Sequence, residues 1–314
     1  DLCRDRPEGA RPMSSQAMTR TETATLEEMG RMPPARSERS RIWRRFVRYK
    51  PGLVGLTVIG LLVILAVFAP WIAPHSPTET ETSLRGAAPS AEYLLGNDDI
   101  GRDILSRIIY GARVALIVGL GATAIAVTIG VTIGATAGYF GGRVDFILSR
   151  FVDTLMAFPL LALLLTLSSV FGPSLRNVVI VIGLTVWASY ARLVRAEVLS
   201  LRERDFVLAA RAIGAGDRRI IFRHIVPNAL GPVIVIASLA IGGVIILESA
   251  LSFLGLGVSR PTASWGTMLS DGREFIRNYP HIAIAPGIAI TITVLSFNLV
   301  GDGLRDALDP RQKE

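Results

Sequence analysis

Stretches without a charged side chain divide this sequence into long apolar blocks. Pro51 to Pro74, Val114 to Phe140, Thr154 to Leu175, Ile225 to Leu247 and Ile282 to Gly301 are five such runs. Each holds about 20 residues or more, enough at ~1.5 Å per residue to cross ~30 Å of hydrocarbon as a helix. A sixth run, Asn177 to Ala191, is shorter, but Arg176 and Arg192 at its ends can snorkel and extend it into both interfaces. The pattern predicts an all-α integral membrane protein with six transmembrane helices. An even number of spans puts both flanking segments on one side.

Arginine placement says which side. Arg36, Arg39, Arg41, Arg44, Arg45, Arg48 and Lys50 precede the first span, and Arg192, Arg195, Arg202, Arg204, Arg211, Arg218, Arg219 and Arg223 lie between the fourth and fifth. Basic residues near span ends are retained in the cytoplasm, so these segments and both termini are expected there. The loop from about His75 to Tyr110 has more acidic than basic residues and is expected outside. Residues 1–40 lack apolar periodicity and read as a disordered cytoplasmic tail. Residues 41–110 then hold the first span and the outer loop, 111–303 a core with five spans and a polar loop over 196–228, and 304–314 a cytoplasmic tail. The first apolar run starts too late and is too long for a cleavable signal peptide.

Composition agrees with the pattern. The 314 residues are 50% hydrophobic and 19% charged, with a net charge of +7. That positive charge is accounted for by arginines at span ends without invoking nucleic acid. Cys3 is the sole cysteine, which excludes a disulfide within the chain and a thiolate metal cluster. His75, His224 and His281 are scattered over span edges, so neither a metal site nor a nucleophilic triad assembles from them.

The polar insert "RDFVLAARAIGAGDRRIIFRHIVPN" (204–228) reads as two short helices meeting at Gly214. Phe206, Ala210 and Ile213 recur at helical spacing, and Ala209 and Ala210 keep a low surface for close approach of another backbone. Gly214 can end the first helix, Asp217 can cap the second, and Pro227 marks entry to span five. A DNA-reading helix-turn-helix has the same outline. Tethered between two spans, however, it has little room to approach a duplex.

The insert resembles the E-A-A-x3-G-x9-I-x-L-P loop of ABC importer permeases, with Ala209, Ala210, Gly214 and Pro227 at matching positions and Leu208, His224 and Val226 departing from it. "LGNDDIGRDILSRIIYGARVAL" (95–116), "ESALSFLGLG" (248–257) and "GDGLRDALDP" (301–310) resemble further signatures of the second permease subunit of dipeptide, oligopeptide and nickel importers. The resemblance runs from about Arg41 to Arg311. It implies the type I ABC importer permease fold, a bacterial inner-membrane location, and a coupling role for Asp205, Phe206, Ala209, Ala210, Gly214, Ala215 and Pro227, which would dock on a separate ATPase. It further implies a homologous permease partner, two ATPases that bind ATP and Mg, and an external substrate-binding protein, with no cofactor, metal or catalytic residue in this chain. The sequence has no GxxxxGK[ST] phosphate loop, so energy from ATP would have to be supplied by those partners.

Other positions carry two readings each. Gly130, Gly134 and Gly138 stand four apart in span two, a pattern for close helix packing or for gating. Pro159 and Pro232 are expected to kink spans three and five. Glu248, at the outer end of span five, either lines the mouth of a translocation path and meets a peptide's amino terminus or is solvated or paired with an arginine. Asp153 either touches substrate or pairs with Arg150 or Arg192. A proton-coupled carrier or channel is the rival function. It would call for acidic or histidine side chains deep in the spans and for internal repeats, and the six uncharged runs contain no such residue. Which peptide is carried, or whether nickel or another small solute replaces it, is left open by the sequence.

Overall fold

The computed structural model describes residues 38–308; the expected tail over 1–40 and the last residues of the 304–314 segment fall outside that range, apart from 38–40 and 304–308. Of the described residues, those up to Arg44 and those from Arg45 onward fall in separate units. Among the described residues all regular structure is helical. Helix α1 is Glu38–Arg48, α2 Lys50–Val67 and α3 Ala69–Ile72; α4 is Ile104–Phe140, α5 Gly142–Ala157 and α6 Leu160–Phe171. Then come α7 (Leu175–Leu201), α8 (Asp205–Ala212), α9 (Asp217–Ile220), a π-helical turn at Ile221–Ile225, α10 (Val226–Phe253), α11 (Trp265–Gly272) and α12 (His281–Leu308).

Five of these helical stretches are long and apolar enough to cross a membrane, and the pair α5 and α6 makes a sixth only as a broken span bent by 88°. The single third span expected over 154–175 is thereby corrected. Pro159 has no N–H to donate and disfavours helical backbone at the residue before it. Phe158 accordingly takes an extended conformation (ψ 138°), and the chain re-enters helix at Leu160. Pro232 behaves differently, for α10 continues unbroken through it.

The first core helix begins earlier than the uncharged run suggests. Asp103 caps α4 by accepting from the Ser106 N–H at 2.9 Å, and the helix then runs 37 residues, about 55 Å at ~1.5 Å per residue. Helix α7, capped by Ser174, continues through Arg192 and Arg195 to Leu201, which moves the start of the polar loop from 196 to Arg202. Helices α4 and α7 form the most extensive pair, while α12 packs between α10 and α2. One apolar cluster fills the end of the bundle near α11, around Ile104, Ile245, Trp265, Met268 and Ile282. Another fills the end near α8, around Tyr139, Val198, Val207, Ile220 and Ile225.

Much apolar surface stays outside. Ile284, Ile288, Ile292 and Leu295 form an exposed stripe along α12, and Val54, Leu61, Ile64 and Val67 are exposed on α2. Faces of that kind are stable against hydrocarbon or another subunit, not against water.

Candidate functional site

The loop over 202–225 is a built element. Helix α8 stops because Gly214 adopts φ +79°, a left-handed conformation that costs glycine little. The Gly214 N–H donates to the Arg211 carbonyl at 2.9 Å and the Ala215 N–H to the Ala210 carbonyl at 3.0 Å, the paired bonds of a Schellman ending. Ala215, half-buried, closes the turn against the same apolar cluster that holds Ala210. Asp217 does not cap the next helix: Gly216 holds that position, and Asp217 sits in the first turn of α9, accepting a hydrogen bond from the Tyr139 hydroxyl at 2.6 Å.

The two faces of α8 divide differently from the expected one. Val207 and Ala210 turn inward onto the ends of α4, α7 and α10, so Ala210 belongs to the buried side and not to the outward face with Phe206 and Ile213. The outward face carries Asp205, Phe206, Leu208 and Ala209. Ile213 is 86% exposed at the tip, and Phe222 on the second segment is 70% exposed. Pro227 lies exposed in the first turn of α10, directly after the π-helical turn. The loop thus rests on an apolar seat and offers a second apolar surface outward.

Tyr139, near the end of α4, joins that seat to both halves of the loop. Its ring is buried in the cluster, its hydroxyl reaches Asp217 of α9, and the Arg211 guanidinium of α8 lies 5.3 Å from its centroid. Such a cation over an aromatic face is attractive by the ring quadrupole.

The glycines of α4 face α7 at backbone distance. A methyl group on Gly130 would come within 2.5 Å of the Tyr190 Cβ, on Gly134 within 2.4 Å of the Ala191 carbonyl oxygen, and on Gly138 within 2.9 Å of the Arg195 carbonyl oxygen. Beside this seam a cavity of about 470 Å³ opens between α4, α5 and α7. Asp145 on its wall accepts from Arg195, with Nη2 to Oδ2 at 2.7 Å. Asp153 pairs with Arg192 at 2.7 Å in an exposed bridge, one of the two partners expected for it, while Arg150 lies over the Phe146 ring.

Glu248 is neither solvated nor paired with an arginine. It is 1% exposed and accepts from the Ser252 hydroxyl at 2.7 Å and the Ser249 hydroxyl at 3.3 Å. Ser252 in turn accepts from the Val258 N–H at 3.1 Å. The carboxylate therefore ties the last turns of α10 to the loop that follows.

A cluster that sequence reading did not find lies at the end of the bundle away from α8. Asp98 accepts from Arg102 Nε at 2.6 Å and from Arg107, and Asp271 of α11 accepts from Arg102 at 3.2 Å, from Arg107 at 3.4 Å and from Arg260. Asp98, Arg102, Arg107 and Asp271 are all buried. Burial, reinforced by the charges of Asp98 and Asp271, pushes the Asp99 carboxyl above its usual range, whereas the bond to Asp271 raises the pKa of Arg260. Trp265 adds a hydrogen bond from Nε1 to the Ile108 carbonyl at 3.1 Å. The one signal in the sequence was the density of charge just before an apolar run; the partner, Asp271, is more than 160 residues away.

A bundle of helices long and apolar enough to cross a membrane, with a helical loop projecting from one end, is the architecture of a multi-span membrane protein. The chain belongs to the family described as "Binding-protein-dependent transport system inner membrane component", which matches residues 130–314. The "N-terminal TM domain of oligopeptide transport permease C" matches residues 37–89. Among curated relatives, the dipeptide transport system permease protein DppC of Alkalihalophilus pseudofirmus is 45% identical over 271 residues, covering 86% of this chain and 89% of that one. The protein of the same name from Escherichia coli K12 is 45% identical over 278 residues, covering 87% and 93%. The oligopeptide transport system permease protein OppC of Haemophilus influenzae is 40% identical over 272 residues, covering 86% and 88%.

Proposed function

We propose that this chain is one of two related permease subunits between which a dipeptide or oligopeptide crosses the bacterial inner membrane, driven by ATP hydrolysis on separate subunits. Supporting this is the outward apolar face of the 202–225 loop. Phe206, Leu208, Ile213 and Phe222 stand exposed on a segment whose other side is anchored in the bundle. A rigid segment with free apolar knobs suits docking to a protein surface, since exposed apolar patches of this sort mark interaction sites. Two ATPases would carry the ATP and Mg; an external binding protein would deliver substrate and make most of the selection. The loop and both termini face the cytoplasm in this reading, following the arginine distribution.

Asp205, Phe206, Ala209, Gly214 and Pro227 contribute the docking surface or its geometry, and Ala210 and Ala215 seat it from beneath. Asp153 and the glycine ladder belong to the packing of α4, α5 and α7, and Glu248 to the folding of the 254–264 loop. The test is purification of the tagged chain from its native cells. An ATPase and a second permease are expected to copurify, and Ile213→Asp to lose the ATPase while keeping the permease partner. Uptake of labelled Ala-Ala that persists in an Ile213→Asp strain, with ATPase retention unchanged, would overturn the docking role.

A further inference from the structure

We infer that Tyr139 is a positioning residue that fastens the coupling loop to α4, so that the loop and this helix move as one body. The inference rests on the loop being the ATPase-docking element. Three observations carry it. Tyr139 is the next-to-last residue of α4 and is 6% exposed within the apolar seat of the loop. Its hydroxyl donates to Asp217 at 2.6 Å, on the segment after the Gly214 turn. Arg211, on the segment before that turn, lies over the ring at 5.3 Å. One side chain from a spanning helix thus holds both arms of the loop. The α4 backbone next to it is held too, for Arg202 Nη1 donates to the Gly138 carbonyl at 3.2 Å.

The consequence is mechanical. Val207 and Ala210 also seat the loop, but apolar contacts are non-directional and allow sliding. A charge-assisted hydrogen bond together with a cation on the ring fixes an angle as well as a depth. Helix α4 then carries any displacement along its 37 residues to the opposite end, where Arg107 sits in the buried cluster with Asp98 and Asp271. A loop loosened from α4 would still dock but would transmit less. Binding and coupling should therefore separate.

The experiment uses the complete complex reconstituted in lipid nanodiscs with its binding protein and Ala-Ala as the probe substrate. Tyr139→Phe keeps the ring and removes the hydroxyl, Asp217→Ala removes the acceptor, and Asp217→Asn restores an acceptor oxygen. The complex is expected to assemble normally with basal ATP hydrolysis retained in all three. Stimulation of hydrolysis by loaded binding protein should fall about tenfold in Tyr139→Phe and Asp217→Ala, the scale of one hydrogen bond to a charged group. The double variant should be no worse than either single one, and Asp217→Asn, which keeps a neutral acceptor, should recover part of the stimulation. Unchanged stimulation in Tyr139→Phe and Asp217→Ala, or strictly additive losses, would overturn the inference. So would loss of assembly in both, which would make Tyr139 a packing residue only. Ile213→Asp, run alongside, separates the two readings. If it leaves ATPase attachment and stimulation intact, the docking role fails; if it abolishes them while the Tyr139 and Asp217 variants are silent, only the fastening role fails.

Discussion

At the scale of single residues, the largest energies in this protein lie in its buried charges. Asp98 and Asp271 share Arg102 and Arg107 between them, with all four side chains almost wholly removed from solvent. Desolvation of such a set is expensive, and the ion pairs recover it only while every partner is present. Asp271→Ala leaves two buried guanidinium groups sharing Asp98, and Arg107 Nε already lacks a partner. We expect a loss of about 3–5 kcal/mol, seen as a lowered melting temperature of the detergent-purified chain. Arg260, largely exposed, is the contrast: Arg260→Gln should cost under ~1 kcal/mol despite its contact with the same carboxylate. Equal melting of Asp271→Ala and the parent chain would show that the cluster is not needed to hold α11. None of this was legible beforehand, because a contact between Arg102 and Asp271 is made by the fold and leaves no local pattern. Glu248 is a similar case. Its place near the end of span five could be counted, but its serine partners, and so its burial, could not.

At the scale of elements, local physics was legible where it is local. Uncharged length found the spans, glycine spacing found the α4–α7 seam, and Ala-Ala-x3-Gly found the loop and its turn. The failures have physical causes. Helix α4 extends back through Arg113, Arg107 and Ile104 because those arginines are paired or lie on aromatic rings, so counting uncharged residues began the helix too late. The phase of α8 was misjudged since a helix of eight residues has several possible apolar stripes, and the ends of α4, α7 and α10 select Val207 and Ala210. The turn itself supplies a clean test. A methyl group placed on Gly214 meets nothing within 4 Å beyond the adjoining residues, so within this chain the strain in Gly214→Val comes from its φ of +79°. The expected strain is ~1–3 kcal/mol, enough to misdirect α8 while leaving the spans inserted. Transport of Ala-Ala should be lost in Gly214→Val and largely kept in Gly214→Asn, since asparagine tolerates this conformation better than other side chains. Equal transport by the two would remove the turn from the mechanism.

At the scale of the whole molecule, the question is which end of the bundle meets the cytoplasm. The α8 end has the arginines that flank α7 and α10, whereas at the end around α11 Arg102, Arg107 and Arg260 are paired with Asp98 or Asp271. Basic residues near span ends bias insertion by their number, with acidic neighbours contributing little, and the α8 end has the more of them. An odd number of crossings would separate α2 from α12 in orientation, and here the bent pair decides the parity. If α5 and α6 together cross once, the start of α2 and the end of α12 share a side; if the 88° bend makes a re-entrant hairpin, they do not. Packing favours a crossing, because α5 contacts the α8 end of α4 while α6 packs with Val178, Val181 and Ile182 toward the other end of α7. In a Cys3→Ser background, Ser90→Cys should react with a membrane-impermeant maleimide in intact cells. Ala212→Cys, equally exposed in the structure, should react only after permeabilisation. Reversal of the two would invert the protein in the membrane and put the docking face out of reach of any ATPase, whatever the loop's shape.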